Sequence, residues 1–348
     1  MKIGIAASLR IKAGASWDEA VDYLTWLAWY GDTHGYANLW MTEHHFTEQA
    51  GAGSPAVMLG YLAARTSRLR LGGAVMLVPF YHPIRLAEEL LLVDRLSQGR
   101  LDIGIGRGHS PLETAVLCPD PDRAVELFED GVAVLEAAFR GESFRFDGAY
   151  WRFPEIRVFP PPVQRRGEDG SGPPFYMPVT SPRSIEFAAR HGIIPLVGYR
   201  EPRQATEALK QYAAAARAAG HDEARIAWLL ERVATNRFVL VADTRAEAEA
   251  LTRAELAYPS YSHWMYGLPV GDPRFQPLLP ESLPPLDVPA DELAGVAIFG
   301  TRDDVIDQIR ALEAVGVRHL SVAFSFRSSP EVSRERVERF TREVLPYV

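Results

Sequence analysis

Eight short apolar runs recur along this chain, at 3–7, 37–41, 69–77, 101–105, 175–179, 193–197, 237–242 and 319–324, with helix-patterned segments between them. A short apolar run bounded by turn signals reads as a strand buried on both faces, and strands that alternate with helices pair in parallel. Eight such units, with no linker dividing them, predict one α/β domain over 1–348, a single (β/α)8 TIM barrel. Insertions are expected near 140–175 and 258–290. The first holds Asp147-Gly148, a strong hairpin turn within the alternating residues 143–153, followed by a Pro- and Gly-rich loop. The second carries eight prolines, from Pro259 to Pro289, and reads as either a lid or a disordered segment.

The helices announce themselves by their ends. Ser16-Trp17-Asp18-Glu19 is a capping box opening a helix that stops near His34-Gly35. Ser54-Pro55 opens another through Arg65. Pro83 suits the first turn of a helix that ends before Gly99, and Leu86, Leu90 and Val93 give it a core-facing stripe. Further helices are expected over 123–139, 184–191 and 202–220, and Thr301-Arg302-Asp303-Asp304 caps one ending at Gly316.

Composition narrows the function. A net charge of −8 and a pI near 5.7 leave no basic stripe, so nucleic acid is not the expected partner. No run of eighteen apolar residues exists and the N-terminus enters a strand directly, so neither a membrane span nor a signal peptide is expected. The single cysteine, Cys118, excludes an internal disulfide and any multi-cysteine metal site. A cytoplasmic location follows as the default expectation.

A parallel barrel keeps its chemistry at the C-terminal ends of its strands. After strand two come Glu43, His44 and His45, which on their own read equally as a polar loop or as a site. A metal centre is not expected: zinc-binding histidines on a helix are spaced i, i+4, whereas neighbours on an extended segment point oppositely. A histidine at a barrel mouth suits proton transfer near neutral pH.

After strand four, Gly104-Ile105-Gly106-Arg107-Gly108-His109 misses a dinucleotide fingerprint, because His109 stands where the third glycine belongs. The glycines let backbone approach a flat ligand, and Arg107 is either a grip for an anion or a solvated side chain. After strand five, Thr180 or Ser181 caps a helix with Pro182 at its first position. Its exposed N–H groups favour an anion, although plain capping is the simpler account of that segment alone.

Glu43-His44-His45-Phe46-Thr47-Glu48, Pro79, His82-Pro83, Ala87-Glu88, Asp94, Ser97, Gly99-Arg100 and Arg107-Gly108 carry a further signal together. In these residues and their spacing the chain resembles the luciferase-like monooxygenase family, bacterial luciferase α subunits in particular. Elsewhere the likeness is in strand order more than in residues. The resemblance implies a two-component enzyme that takes reduced FMN from a separate flavin reductase. With O2, and through a flavin C4a-peroxide, it would oxygenate a small organic substrate. It implies that His44 is the catalytic histidine and that Glu43 lies in the flavin pocket. It also implies a non-prolyl cis peptide at Ala74-Val75 against the flavin ring, and a phosphate site made by Arg107, Ser181 and Ser184. Thr180, at a further flavin contact, stands where the luciferases have glutamate.

The barrel's more usual phosphate site follows strands seven and eight, so the position after strands four and five rests on the resemblance. Trp264, Met265 and Tyr266 are expected on the substrate side. Gly106, Ser110 and Thr180 replace a cysteine, a tyrosine and a glutamate of luciferase, which points away from light emission. A homodimer through the helices flanking strands two and three is implied by analogy. The alternatives are an F420-dependent hydride-transfer enzyme of the same family and a non-catalytic flavin-binding subunit.

Overall fold

The computed structural model describes residues 1–10, 15–46, 53–164, 172–198, 202–256, 293 and 295–348. The strands are β1 Lys2–Ala7, β2 Asn38–Met41, β3 Arg70–Leu77, β4 Leu101–Gly106, β5 Phe144–Asp147, β6 Arg152–Ile156, β7 Phe175–Pro178, β8 Ile194–Leu196, β9 Ala234–Val241, β10 Ala297–Gly300 and β11 His319–Ala323. Eight of them close a parallel ring in the order β1-β2-β3-β4-β7-β8-β9-β11, with β11 pairing back to β1. The antiparallel hairpin β5–β6 is the expected insertion, and its turn falls at Asp147-Gly148 as the sequence indicates. The Pro-rich segment, with Trp264, Met265 and Tyr266, lies outside the described residues.

Around the ring run α1 Trp17–Thr33, α2 Pro55–Ala63, α3 Pro83–Leu96, α4 Pro111–Leu117, α5 Ala124–Arg140, α6 Pro182–Arg190, α7 Pro202–Ala218, α8 Glu223–Leu230, α9 Arg245–Leu256, α10 Arg302–Ala314 and α11 Pro330–Glu343. Ser16 and Thr301 form the capping boxes read from the sequence. The α3 stripe is buried as expected, Leu86 and Leu90 completely. Each such leucine contributes about 2 kcal/mol through burial alone. None of the described helices is long and apolar enough to cross a membrane.

Arg100, just before β4, shows how strand and helix are tied. Its guanidinium donates to the carbonyl oxygens of Ala63 at 3.1 Å, Thr66 at 3.0 Å and Leu69 at 2.7 Å, closing the C-terminus of α2. At the same end of the ring Arg70 pairs with the buried Asp102 carboxylate at 2.6 Å. Burial pushes the Asp102 carboxyl up, and Arg70 opposes that rise.

Four helices were not foreseen, namely α4, α8, α9 and α11, nor was β10. Strand β9 begins at Ala234 rather than at 237. Its first residues, Ala234-Thr235-Asn236, break the apolar run, yet they pair in register with His319, Leu320 and Ser321. Its second half pairs with β10, outside the ring.

Candidate active site

The site is a cavity of about 810 Å³ at the C-terminal ends of the ring strands. All eight residues singled out by the sequence line it: Glu43, His44, Ala74, Val75, Arg107, Thr180, Ser181 and Ser184. Its volume lies in the range of pockets that enclose small molecules and cofactors.

The residues after β2 alternate as an extended chain should. His44 faces the cavity and His45 packs away from it, its Nε2 3.1 Å from Glu43 Oε1. Glu43 is buried and fully engaged: it also accepts from the Leu77 N–H at 2.9 Å and the Tyr81 hydroxyl at 3.0 Å. Burial, with the Glu43 carboxylate beside it, pushes the Tyr81 phenol up, so it stays a hydrogen-bond donor. Glu43 therefore joins the end of β3 to the histidine pair. Phe46 is 53 % exposed, with φ of 60°.

His44 Nδ1 lies 3.3 Å from Glu113 Oε1, which also accepts from the His45 N–H at 2.8 Å. A carboxylate only accepts, so this contact places the imidazole proton on Nδ1 and makes Nε2 the basic nitrogen. Glu113 belongs to α4, and the sequence does carry a signal for it. Ser110-Pro111-Leu112-Glu113 has the form of a helix start, and Ser110 caps it by accepting from the Glu113 N–H. In a capping box that glutamate would reach back to its own cap. Here it reaches across to the histidines. Ser110, in place of the luciferase tyrosine, is therefore a cap.

The wall beside His44 comes from β3 and β4. The Ala74–Val75 peptide is cis, as the resemblance implies. It falls at a bulge, where the register steps from Gly73 opposite Ile103 to Met76 opposite Ile105. A Cβ on Gly106 would meet Val75 Cγ2 at 2.4 Å, so glycine here follows from packing against Val75. A Cβ on Gly72 would similarly meet the Trp40 ring at 2.6 Å.

Opposite lies an end suited to anions. Arg107 is exposed in the cavity wall and makes no hydrogen bond or ion pair with the described residues. Ser181 caps α6, with Pro182 at its first position, and forms a reciprocal box with Ser184. The plain capping reading is thus realised, and it leaves the same helix N-terminus on the cavity. Arg183 and Glu129 line this end too and were not anticipated; they are 54 residues apart and no local pattern links them.

The more usual phosphate position of this fold, the loop after β11, is already occupied from within. Glu255 of α9 accepts from the N–H groups of Phe326 and Arg327 at 2.8 Å each, and of Ser328 at 3.2 Å. The Ser325 and Ser328 hydroxyls and Arg336 Nη1, the last at 2.6 Å, also donate to it. Burial raises the Glu255 carboxyl, but these donors outweigh it and hold the group at about 2.

A parallel barrel with a carboxylate-paired histidine in the cavity at its strand ends is a candidate enzyme site, and comparison with known proteins gives the family. A family profile described as luciferase-like monooxygenase matches residues 1–319. The oxygenase component of flavin-dependent trigonelline monooxygenase from Acinetobacter baylyi is 28% identical over 341 residues, 95% of this chain and 89% of that protein. An alkanal monooxygenase alpha chain from the Kryptophanaron alfredi symbiont is 24% identical over 95% of this chain and 93% of its own length. The crystal structure of monooxygenase RslO1 from Streptomyces bottropensis superimposes with a TM-score of 0.80 at 26% identity, covering 99% of both chains. The chain belongs to the luciferase-like monooxygenase family.

Proposed function

We propose that this chain is the oxygenase component of a two-component flavin-dependent monooxygenase. It receives reduced FMN from a separate reductase and passes one atom of O2 to a small organic substrate, the other leaving as water. The supporting observation is the single cavity that unites a carboxylate-oriented histidine, a smooth wall and an anion-binding end. The naming of the trigonelline enzyme as an oxygenase component points the same way.

The residues present fit FMN. Ala74, Val75 and Gly106 line the cavity with two small side chains and a bare glycine, a surface suited to a flat ring system. Arg107, Thr180 and the α6 N-terminus offer the donors a phosphate requires, and Ser181 and Ser184 line the same end while closing the α6 cap. When bound, reduced FMN supplies the two electrons of the reaction. The protein's part is to hold, exclude and transfer. Glu43 fixes the wall, and Ala7, Leu77 and Phe324 keep water from the reacting region. His44 takes or returns a proton at Nε2.

Binding tests the reading. Reduced FMN, titrated anaerobically, is expected to bind, and coenzyme F420 binding in its place would overturn the FMN assignment. Arg107→Ala is expected to weaken FMN by about 10- to 100-fold, the worth of a charge-assisted contact. Riboflavin, lacking the phosphate, should be nearly unaffected. Equal losses for both would remove Arg107 from the phosphate site.

A homodimer through α2 and α3 completes the proposal. Val57, Leu92 and Leu96 on these helices are 69%, 50% and 52% exposed, an apolar strip suited to a partner. Leu92→Asp combined with Leu96→Asp is expected to give monomers in sedimentation equilibrium. A dimer that persists in this variant would place the interface elsewhere.

A further inference from the structure

We propose that Glu129 limits how long this site retains flavin, by competing with the flavin phosphate for Arg183. The inference rests on the FMN reading above and concerns retention, where that reading concerns recognition.

Three charged side chains line the anion end: Arg107, Arg183 and Glu129. Arg183 Nη2 donates to Glu129 Oε1 at 3.4 Å, and the two side chains are 68% and 44% exposed. An ion pair so exposed is weak and opens readily. Its placement is nonetheless fixed. Glu129 follows the buried Phe128 on α5, and Phe128 packs on Phe187 of α6 with ring centroids 5.3 Å apart, so the helices carrying the pair are locked together. The Ser181 and Ser184 hydroxyls are already engaged in the α6 cap.

The anion end therefore presents one guanidinium ready for a phosphate and a second held by a carboxylate. That carboxylate also repels the incoming dianion. A site built for the tightest possible hold would not carry it. A two-component oxygenase, however, must take in reduced flavin and release oxidised flavin in every cycle, so a weakened hold serves turnover. Glu129 provides that weakening.

The test compares FMN with riboflavin in equilibrium fluorescence titrations and in stopped-flow release, at low salt. Glu129→Gln is expected to tighten FMN by about three- to tenfold, chiefly through slower release, and to leave riboflavin unchanged. Arg183→Gln should weaken FMN, and the gain from Glu129→Gln should shrink in that background. Unchanged or weaker FMN binding in Glu129→Gln would overturn the proposal, as would an equal gain for riboflavin. Wild-type protein that fails to bind reduced FMN would sink the flavin reading itself, before any variant is compared.

Discussion

His44→Ala is expected to lower turnover by about 10²- to 10⁴-fold, the usual contribution of a positioned acid–base group, with FMN binding within about twofold of wild type. The expectation follows from the function proposed above: His44 follows β2, whereas the residues assigned to the phosphate follow β4 and β7. Added imidazole should restore part of the activity. Glu113→Ala is expected to give a smaller loss, because it removes the group that orients the ring and leaves the ring in place. Glu113→Asp should recover part of that loss. Rapid single-turnover measurements with saturating reduced FMN check both. If His44→Ala abolished FMN binding and retained turnover per bound flavin, the proton role would be wrong.

Glu255→Gln is expected to destabilise the fold by about 3 kcal/mol at neutral pH. A carboxyl ordinarily near 4.5 and held at about 2 contributes that much to the folded state. Thermal unfolding should show the loss as a fall in Tm of roughly 4 °C for a chain of this length. The sign with pH is fixed. The folded form binds the proton less readily than the unfolded chain, so the contribution is complete above 4.5 and disappears as pH falls towards 2. His319 acts in a neighbouring window. Burial holds its imidazole at about 4 against an ordinary 6.5, with Lys2, Arg232 and Arg70 adding to the effect. Stability is lost there between 6.5 and 4. Acid titration of the wild type should therefore show two successive losses, and Glu255→Gln should keep the first and flatten the second. A variant with unchanged stability at pH 7 would show that the loop after β11 holds itself.

The barrel was legible because its strands are buried on both faces and so stand out as continuous apolar runs. The helices α9 and α11 were not, because the stripes they bury contain polar residues. In α9 the buried positions are Ala248, Thr252 and Glu255, and in α11 they are Ser333, Val337 and Phe340. A pattern search for apolar periodicity passes over a helix that buries a glutamate. At the site, His44 and Arg107 stood out by their positions after strands, and the roles proposed for them came from the family resemblance. Glu113 sits in a recognisable helix start, but its contact with His44 could not be read, since it depends on a carboxylate declining its local cap for a partner 69 residues back. The Glu129–Arg183 pair likewise exists only after α5 and α6 have packed.

Strand β9 divides its labour along its length. Residues Ala234–Phe238 pair with β11 and close the ring, whereas Phe238–Val241 pair with β10. Ring closure and the pairing with β10 are thus separate hydrogen-bonding jobs. The stretch of chain joining α9 to β10 can then change length or composition without altering the register of any ring strand. Doubling such a connection adds only about 0.6 kcal/mol of closure entropy. A barrel arranged this way keeps the register of its ring strands, and with it the positions of His44 and Arg107, whatever the length of that connection.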